Sequence, residues 1–176
     1  MDFQEVIQTR RSVRSYRSDP VPDDALERVL EAARSAPSAN NVQPWRYIVV
    51  TDQATREKIA DISFNQAFIA EAPVVIVCCG HNYHDSYSWI ADNMFLVDST
   101  ISFDHLTLAA RAEGLGTCWI GAFDHPQLKE LLNVPAGYDI VVLTPLGYPQ
   151  SDTAFRPVSN RKALDEIVFH ERFGKE

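Results

Sequence analysis

The 176-residue chain lacks a net positive charge, a long hydrophobic run and an even set of cysteines. Its 16 lysines and arginines stand against 24 aspartates and glutamates, leaving a formal charge of −8. A nucleic-acid binder presents a broad basic face to phosphates, so that class is set aside. No apolar run approaches the ~18 residues of a membrane-spanning helix, and no membrane association is expected. The opening "MDFQEVIQTRR" has no apolar h-region, which argues against a secretory signal. The 3 cysteines are Cys78, Cys79 and Cys118. Cys78 and Cys79 sit in "VVIVCC" and read as reduced core thiols, which predicts a reducing, cytoplasmic compartment. Internal repeats, linkers and low-complexity segments are also missing. The length then fits one domain over residues 1–176.

What is present is much helix and few strands, which predicts an α+β fold. Asp2 is placed to cap a first helix, with Glu5 following as in a capping box, and that helix should run into Arg10 and Arg11. A second helix starts near Asp23. Its Leu26, Val29, Leu30 and Ala33 share one face, and it must stop before Pro37. "RYIVVT" (46–51) reads as a strand, "DQATREKIADI" and "NQAFIAEA" as short helices. "VVIVCC" (74–79) reads as a strand buried on both faces. A long helix is predicted over roughly 86–113, ending at Gly114. Its Trp89, Ile90, Phe95, Leu96, Ile101, Leu106 and Leu108 lie almost all round it. Such a helix is buried deeply or packs on a second subunit. Asp124 caps a helix through Leu131 and Leu132, "DIVVLTPLGY" (139–148) is the last strand, and a short helical tail should follow.

The motifs with chemistry begin at "TRRSVRSYR", which gathers Arg10, Arg11, Arg14 and Arg17 in an acidic chain. Helix-dipole complementation explains basic residues near a helix C-terminus, hence Arg10 and Arg11, but not readily Arg14 and Arg17. The other reading is an anion site. Guanidinium forks bind phosphate oxygens bidentately, and Ser12 adds a hydroxyl. "APSANNVQPW" (36–45) is a helix stop followed by small polar residues that suit turns. Equally, Ser38, Asn40, Asn41 and Gln43 offer donors and acceptors for a heterocycle edge in an apolar pocket.

"GLGTCWIG" (114–121) is not the dinucleotide fingerprint. Trp119 stands where glycine is required, and the segment follows a helix instead of opening one. Gly116 and Gly121 would let a flat ligand approach the backbone. "HNYHD" (81–85) is too sparse for a metal site, so no metal is expected. A Walker A sequence and a nucleophile elbow are both missing. Tyr83, Tyr87 and Trp89 fit core, interface or a substrate lid.

Together "RRSVRSY", "APSANNVQPWRYIVV", "GLGTCWIGAF" and "NRKALDEIV", in this order and spacing, resemble the FMN-dependent nitroreductase family over nearly the whole chain. The resemblance implies an α+β sandwich with a central mixed, mainly antiparallel sheet flanked by helices. It also implies an intertwined homodimer with FMN at the interface. By the same resemblance Arg10, Arg11, Ser12, Arg161 and Lys162 hold the FMN phosphate, and Arg14 reaches the N1–C2 carbonyl edge of the flavin. Pro37, Ser38 and Asn41 come from the partner subunit, and Gln43 helps place the ring. Asn65 or Gln66 contacts the pyrimidine edge, Ile120 and Gly121 lie under the ring, and the Gly121 N–H faces N5.

The implied activity is hydride transfer from NADH or NADPH through flavin N5 to a nitroaromatic, a quinone or a similar small acceptor, by ping-pong turnover. No protein acid or base is called for, since the flavin carries the chemistry. Three rivals stand beside it. One is a relative that cleaves flavin or dehalogenates tyrosine derivatives. Another is a flavin carrier or sensor without NAD(P)H turnover. The third is a structural domain without flavin.

Overall fold

The computed structural model describes residues 1–83, 92–151 and 153–174. Strands β1 (Trp45–Val50), β2 (Val74–His81), β3 (Gly116–Thr117) and β4 (Tyr138–Gly147) form one sheet in the order β1-β2-β4-β3, each pair antiparallel. A parallel bridge between Ser12 and Thr117 lays the arginine-rich segment along β3. All pairings among the described strands are antiparallel, and this parallel bridge is an isolated one outside them.

Successive side chains of a strand point to opposite faces, and β2 is apolar on both. Val75, Val77 and Cys79 pack with Ile59 of α3 (Gln53–Ile62), Ile69 of α4 (Phe68–Glu71) and Leu128 of α6 (His125–Leu131). Val74 and Ile76 face the other way, onto Val29 and Ala33 of α2 (Asp23–Arg34) and Leu106 and Ala110 of α5 (Met94–Ala112). The pairing of β2 with β4 shifts between Cys78 and Cys79, which oppose Val142 and Ile140. That is a β-bulge in the middle of the sheet.

The helix ends follow local rules. Asp2 accepts the Glu5 N–H at 2.8 Å and starts α1 (Phe3–Thr9), and Asp124 accepts the Gln127 N–H at 3.0 Å to start α6. Gly114, at φ 76°, ends α5: its N–H bonds the Arg111 carbonyl, and Leu115 N–H bonds that of Ala110. This is the paired pattern that requires a left-handed residue, cheapest as glycine.

Three expectations change. α1 stops at Thr9, before Arg10 and Arg11. The described part of the long helix begins at Met94, while Tyr87, Trp89 and Ile90 lie outside the described residues. The tail holds a single 3-10 turn, Leu164–Glu166, in place of a helix. Leu164 is 72% exposed and Phe173 91% exposed, so within one chain no core face receives the tail. A short helix without tertiary packing is marginal.

α5 also buries an unexpected set. Asp98, Ser99, Ser102, Thr107 and Arg111 are buried, while Leu96 and Val97 are exposed. No described helix is long and apolar enough to cross a membrane.

Candidate functional site

The cationic corner forms where α1 ends. Burial lowers the Arg11 pKa, and the positive charges of Arg10, Arg161 and Arg156 lower it further. Charges from the segment after α1 and from the C-terminal segment thus both reach Arg11. Arg11 turns back on the helix, donating to the Gln8 carbonyl at 3.1 Å and to the Arg10 carbonyl. It caps the open carbonyls of α1, the dipole role foreseen for it. Arg10 behaves differently: its Nη1 is buried and has no hydrogen-bond partner. A buried charged donor without an acceptor is costly, and an anion placed here would relieve that cost. Phosphate, with several charged acceptor oxygens, fits that role.

Arg10 and Arg161 line one groove of about 1290 Å³, together with the polar Gln8, Ser35, Asp104 and His105 and apolar side chains such as Phe3, Ile7, Leu108 and Val158. Lys162 is exposed on the neighbouring tail. Ser12 and Arg14 line a second, smaller cavity of about 410 Å³ with Ser15, Gln150 and Ser151. Arg10 and Arg14, alike in composition, therefore open onto different spaces. Cys118 lies behind them. Burial raises its thiol pKa, and Arg14, a hydrogen bond with Ser12 and Arg10 act in the opposite direction. Arg17, the last arginine of the cluster, pairs with Asp19 at 3.2 Å and lies over the Tyr148 ring, away from this role.

The loop after α2 is conformationally costly. Asn40, Asn41 and Gln43 have φ values of 49°, 56° and 52°, a region that few side chains adopt and that clusters at functional sites. Ser38 Oγ accepts the Gln43 N–H at 2.9 Å, and the Gln43 amide donates to the Asn41 carbonyl at 3.1 Å. Asp98, buried in α5, takes the Ala39 N–H at 3.1 Å and the Tyr83 hydroxyl at 2.6 Å. Pro37 and Asn41 remain exposed. Neither cavity described above is lined by Pro37, Ser38, Asn41 or Gln43. Tyr83, one of the lid candidates, is only 4% exposed and anchors this loop instead.

A third piece joins two turns. Phe64 and Asn65 have φ values of 58° and 59°. The Gln66 amide donates to the Ser63 carbonyl at 2.8 Å and to the Ala122 carbonyl at 3.4 Å, beside Gly121. Gln66 is thus engaged with backbone, while Asn65 is exposed. Ile120 is buried and bridges Leu143, whereas Gly121 has open space where a Cβ would sit. Gly116 does not fit a ligand-approach role: a Cβ there would come within 2.8 Å of Val13, so it permits close packing of the arginine-rich segment.

Among the described residues no cluster of three or more His, Cys, Asp or Glu could hold a metal ion. His84 and Asp85 of "HNYHD" lie outside them. The signals that sequence reasoning missed are Arg156, Asp98 and Arg111. Each depends on contacts between segments far apart in the chain.

Known proteins resemble this chain in both sequence and fold. It is 32% identical to an NADH dehydrogenase of Thermus thermophilus, over 90% of this chain and 91% of that one. It is also 32% identical to an FMN reductase [NAD(P)H] of Bacillus subtilis, over 88% of this chain and 69% of that one. The NADPH:FMN oxidoreductase of Vibrio harveyi, solved with NAD+, superposes with a TM-score of 0.86 at 26% identity, covering 98% of this chain and 78% of that one. The sequence pattern of the Nitroreductase family matches residues 7–68 and 63–148. With the sandwich fold and those matches over most of its length, the chain belongs to the nitroreductase family of oxidoreductases.

Proposed function

We propose that this chain is an NAD(P)H-dependent FMN oxidoreductase that delivers hydride to a nitroaromatic, a quinone or a similar small acceptor. The observation that carries the reading is the arginine corner with its buried, partnerless Arg10 Nη1. It supports a phosphate-bearing cofactor, and the relatives named FMN reductase and NADPH:FMN oxidoreductase support FMN.

When bound, the flavin supplies an atom, N5, that takes hydride from the nicotinamide and gives it to the acceptor. The protein binds and orients. Arg10, Arg156, Arg161 and Lys162 neutralise the phosphate, with Ser12 as a hydroxyl donor, while Arg11 closes the helix that presents Arg10. Arg14 faces the N1–C2 carbonyl edge and stabilises the negative charge that reduction brings there. Asn65, with its side chain exposed, takes the pyrimidine edge in preference to Gln66, which braces the Ala122 turn. Ile120 and the unobstructed Gly121 support the ring.

The strained loop with Pro37, Ser38, Asn41 and Gln43 serves the ring across the interface of a homodimer. Exposed Leu96, Val97, Leu164, Ile167 and Phe173 support that assembly, since obligate interfaces bury upwards of ~2,000 Å² of largely apolar surface. Sedimentation equilibrium should show a dimer at micromolar concentration; a stable, flavin-loaded monomer contradicts it. The free, buried Cys78, Cys79 and Cys118 support a reducing, cytoplasmic setting.

The test is spectroscopic. The purified protein should be yellow, with flavin bands near ~450 and ~370 nm, and acid should release FMN at about one per chain. A colourless protein that also fails to take up added FMN contradicts the proposal.

A further inference from the structure

Arg56 and Arg111 are the buried arginines among the described residues, at 8% and 6% exposure. They serve different ends. Arg56 donates to the carbonyls of Thr51, Ala70 and Ala72 and to the Gln53 side chain. It ties α3 and α4 to the strand ends and is fully accounted for by structure. Arg111 sits in the last turn of α5, where a cation suits the helix dipole. Its Nε donates to Thr9 Oγ1 at 2.9 Å, and its guanidinium carbon stands 4.1 Å over the ring of Phe155. Thr9 is the last residue of α1, and its hydroxyl in turn donates to the Glu5 carbonyl at 2.5 Å.

The residue after Thr9 is Arg10, and the residue after Phe155 is Arg156. One planar side chain therefore grips, by its edge and by its face, the two segments that carry arginines into the cationic corner. A guanidinium can donate in its plane and stack on its face at once, which an ammonium cannot do. Arg10 and Arg161 line one groove, and left to Coulomb repulsion they would move apart, because like charges disfavour a shared site. Some fixed contact must hold their backbones close, and Arg111 lies between both anchors.

We propose that Arg111 is a positioning residue for the phosphate end of the flavin site: its grip on Thr9 and Phe155 holds Arg10 and the segment that leads from Arg156 to Arg161 together, so that Arg10 and Arg161 face one groove. This rests on the FMN reading above.

The test compares FMN with riboflavin, which lacks the phosphate. Flavin-free protein is titrated with each, and the ratio of the two dissociation constants isolates the phosphate contribution. In the unaltered protein FMN should bind far more tightly. Arg111→Met should lower that preference about tenfold, with riboflavin affinity changed less than about threefold. Arg111→Lys should lower it as well, since charge without the planar fork does not grip both segments. Phe155→Tyr should keep the preference and Phe155→Ala should lower it; these two carry the test if the Arg111 variants do not fold.

Parallel weakening of FMN and riboflavin would reduce Arg111 to a general structural residue and overturn the proposal. An unchanged preference in Arg111→Met, or full rescue by Arg111→Lys, overturns it too. If the unaltered protein binds riboflavin as well as FMN, the phosphate reading itself fails and takes this inference with it.

Discussion

Tyr83 donates its hydroxyl proton to Asp98 at 2.6 Å, and the other oxygen of the same carboxylate takes the Ala39 N–H at 3.1 Å. One buried acid thus joins the strained 37–43 loop to the end of β2. Tyr83→Phe removes a hydrogen bond to a charged group and should cost about 1.5–3 kcal/mol in urea unfolding. Asp98→Ala removes the carboxylate that accepts from both Tyr83 and Ala39 and should cost at least as much. Made together, the changes should cost clearly less than their sum, because they share one interaction. Additive losses would show that the pair is not coupled.

Arg10 and Arg14 should separate by redox state. Losing a charge-assisted bond to phosphate costs ~1.5–3 kcal/mol in either state. Arg10→Ala should therefore weaken FMN binding roughly ten- to a hundredfold and leave the midpoint potential nearly unchanged. In the proposed site Arg14 stabilises negative charge that arrives only on reduction. A differential loss of ~1.4 kcal/mol is about tenfold in equilibrium, or roughly 30 mV for a two-electron couple. Arg14→Ala should lower the midpoint by about that much, as read by dye equilibration at saturating FMN. Equal shifts in both variants would contradict the division.

Arg156 should show opposite effects on stability and on binding. Without an anion, the positive charges of Arg10, Arg156 and Arg161 all act against that of Arg11. Arg156→Gln should stabilise the flavin-free protein slightly, by at most about 0.5 kcal/mol given its exposure to screening solvent. The same change should weaken FMN. Thermal unfolding at low salt with and without FMN checks both signs. A variant less stable without flavin would contradict the repulsion.

The thiols should be inert near neutral pH. Burial pushes Cys78 up to about 12 and Cys79 up to about 11, and the thiolate is the reactive form. Thiol reagents at pH 8 should label Cys78 and Cys79 only after unfolding. These protonated thiols contribute stability below their ordinary value of 9.0. As pH rises from about 9 towards 12, the unfolded chain loses those protons first, so stability falls across that window. Rapid labelling of the folded protein would refute this.

The local features were legible in the sequence. The caps at Asp2 and Asp124, the stop at Gly114 and the two-faced strand at Val74–His81 depend on near neighbours and on side-chain period, and the structure carries them. The tail was not legible, because amphipathic spacing cannot show whether a partner surface exists for it. Arg156 was missed for a related reason: it sits in an irregular segment, and its meaning comes only from meeting Arg11. Arg10 and Arg11 are adjacent and chemically identical. Their proposed separation into a site residue and a helix cap rests on where each guanidinium turns.

The central claim is that FMN held by this chain passes hydride from a nicotinamide to a small aromatic acceptor. Anaerobic stopped-flow mixing of the FMN-loaded protein with NADH, and separately with NADPH, tests it most directly. The account predicts that at least one nucleotide bleaches the band near ~450 nm and that adding a nitroaromatic or a quinone restores it. If neither nucleotide bleaches the flavin within minutes, the protein is a flavin carrier and the account is contradicted.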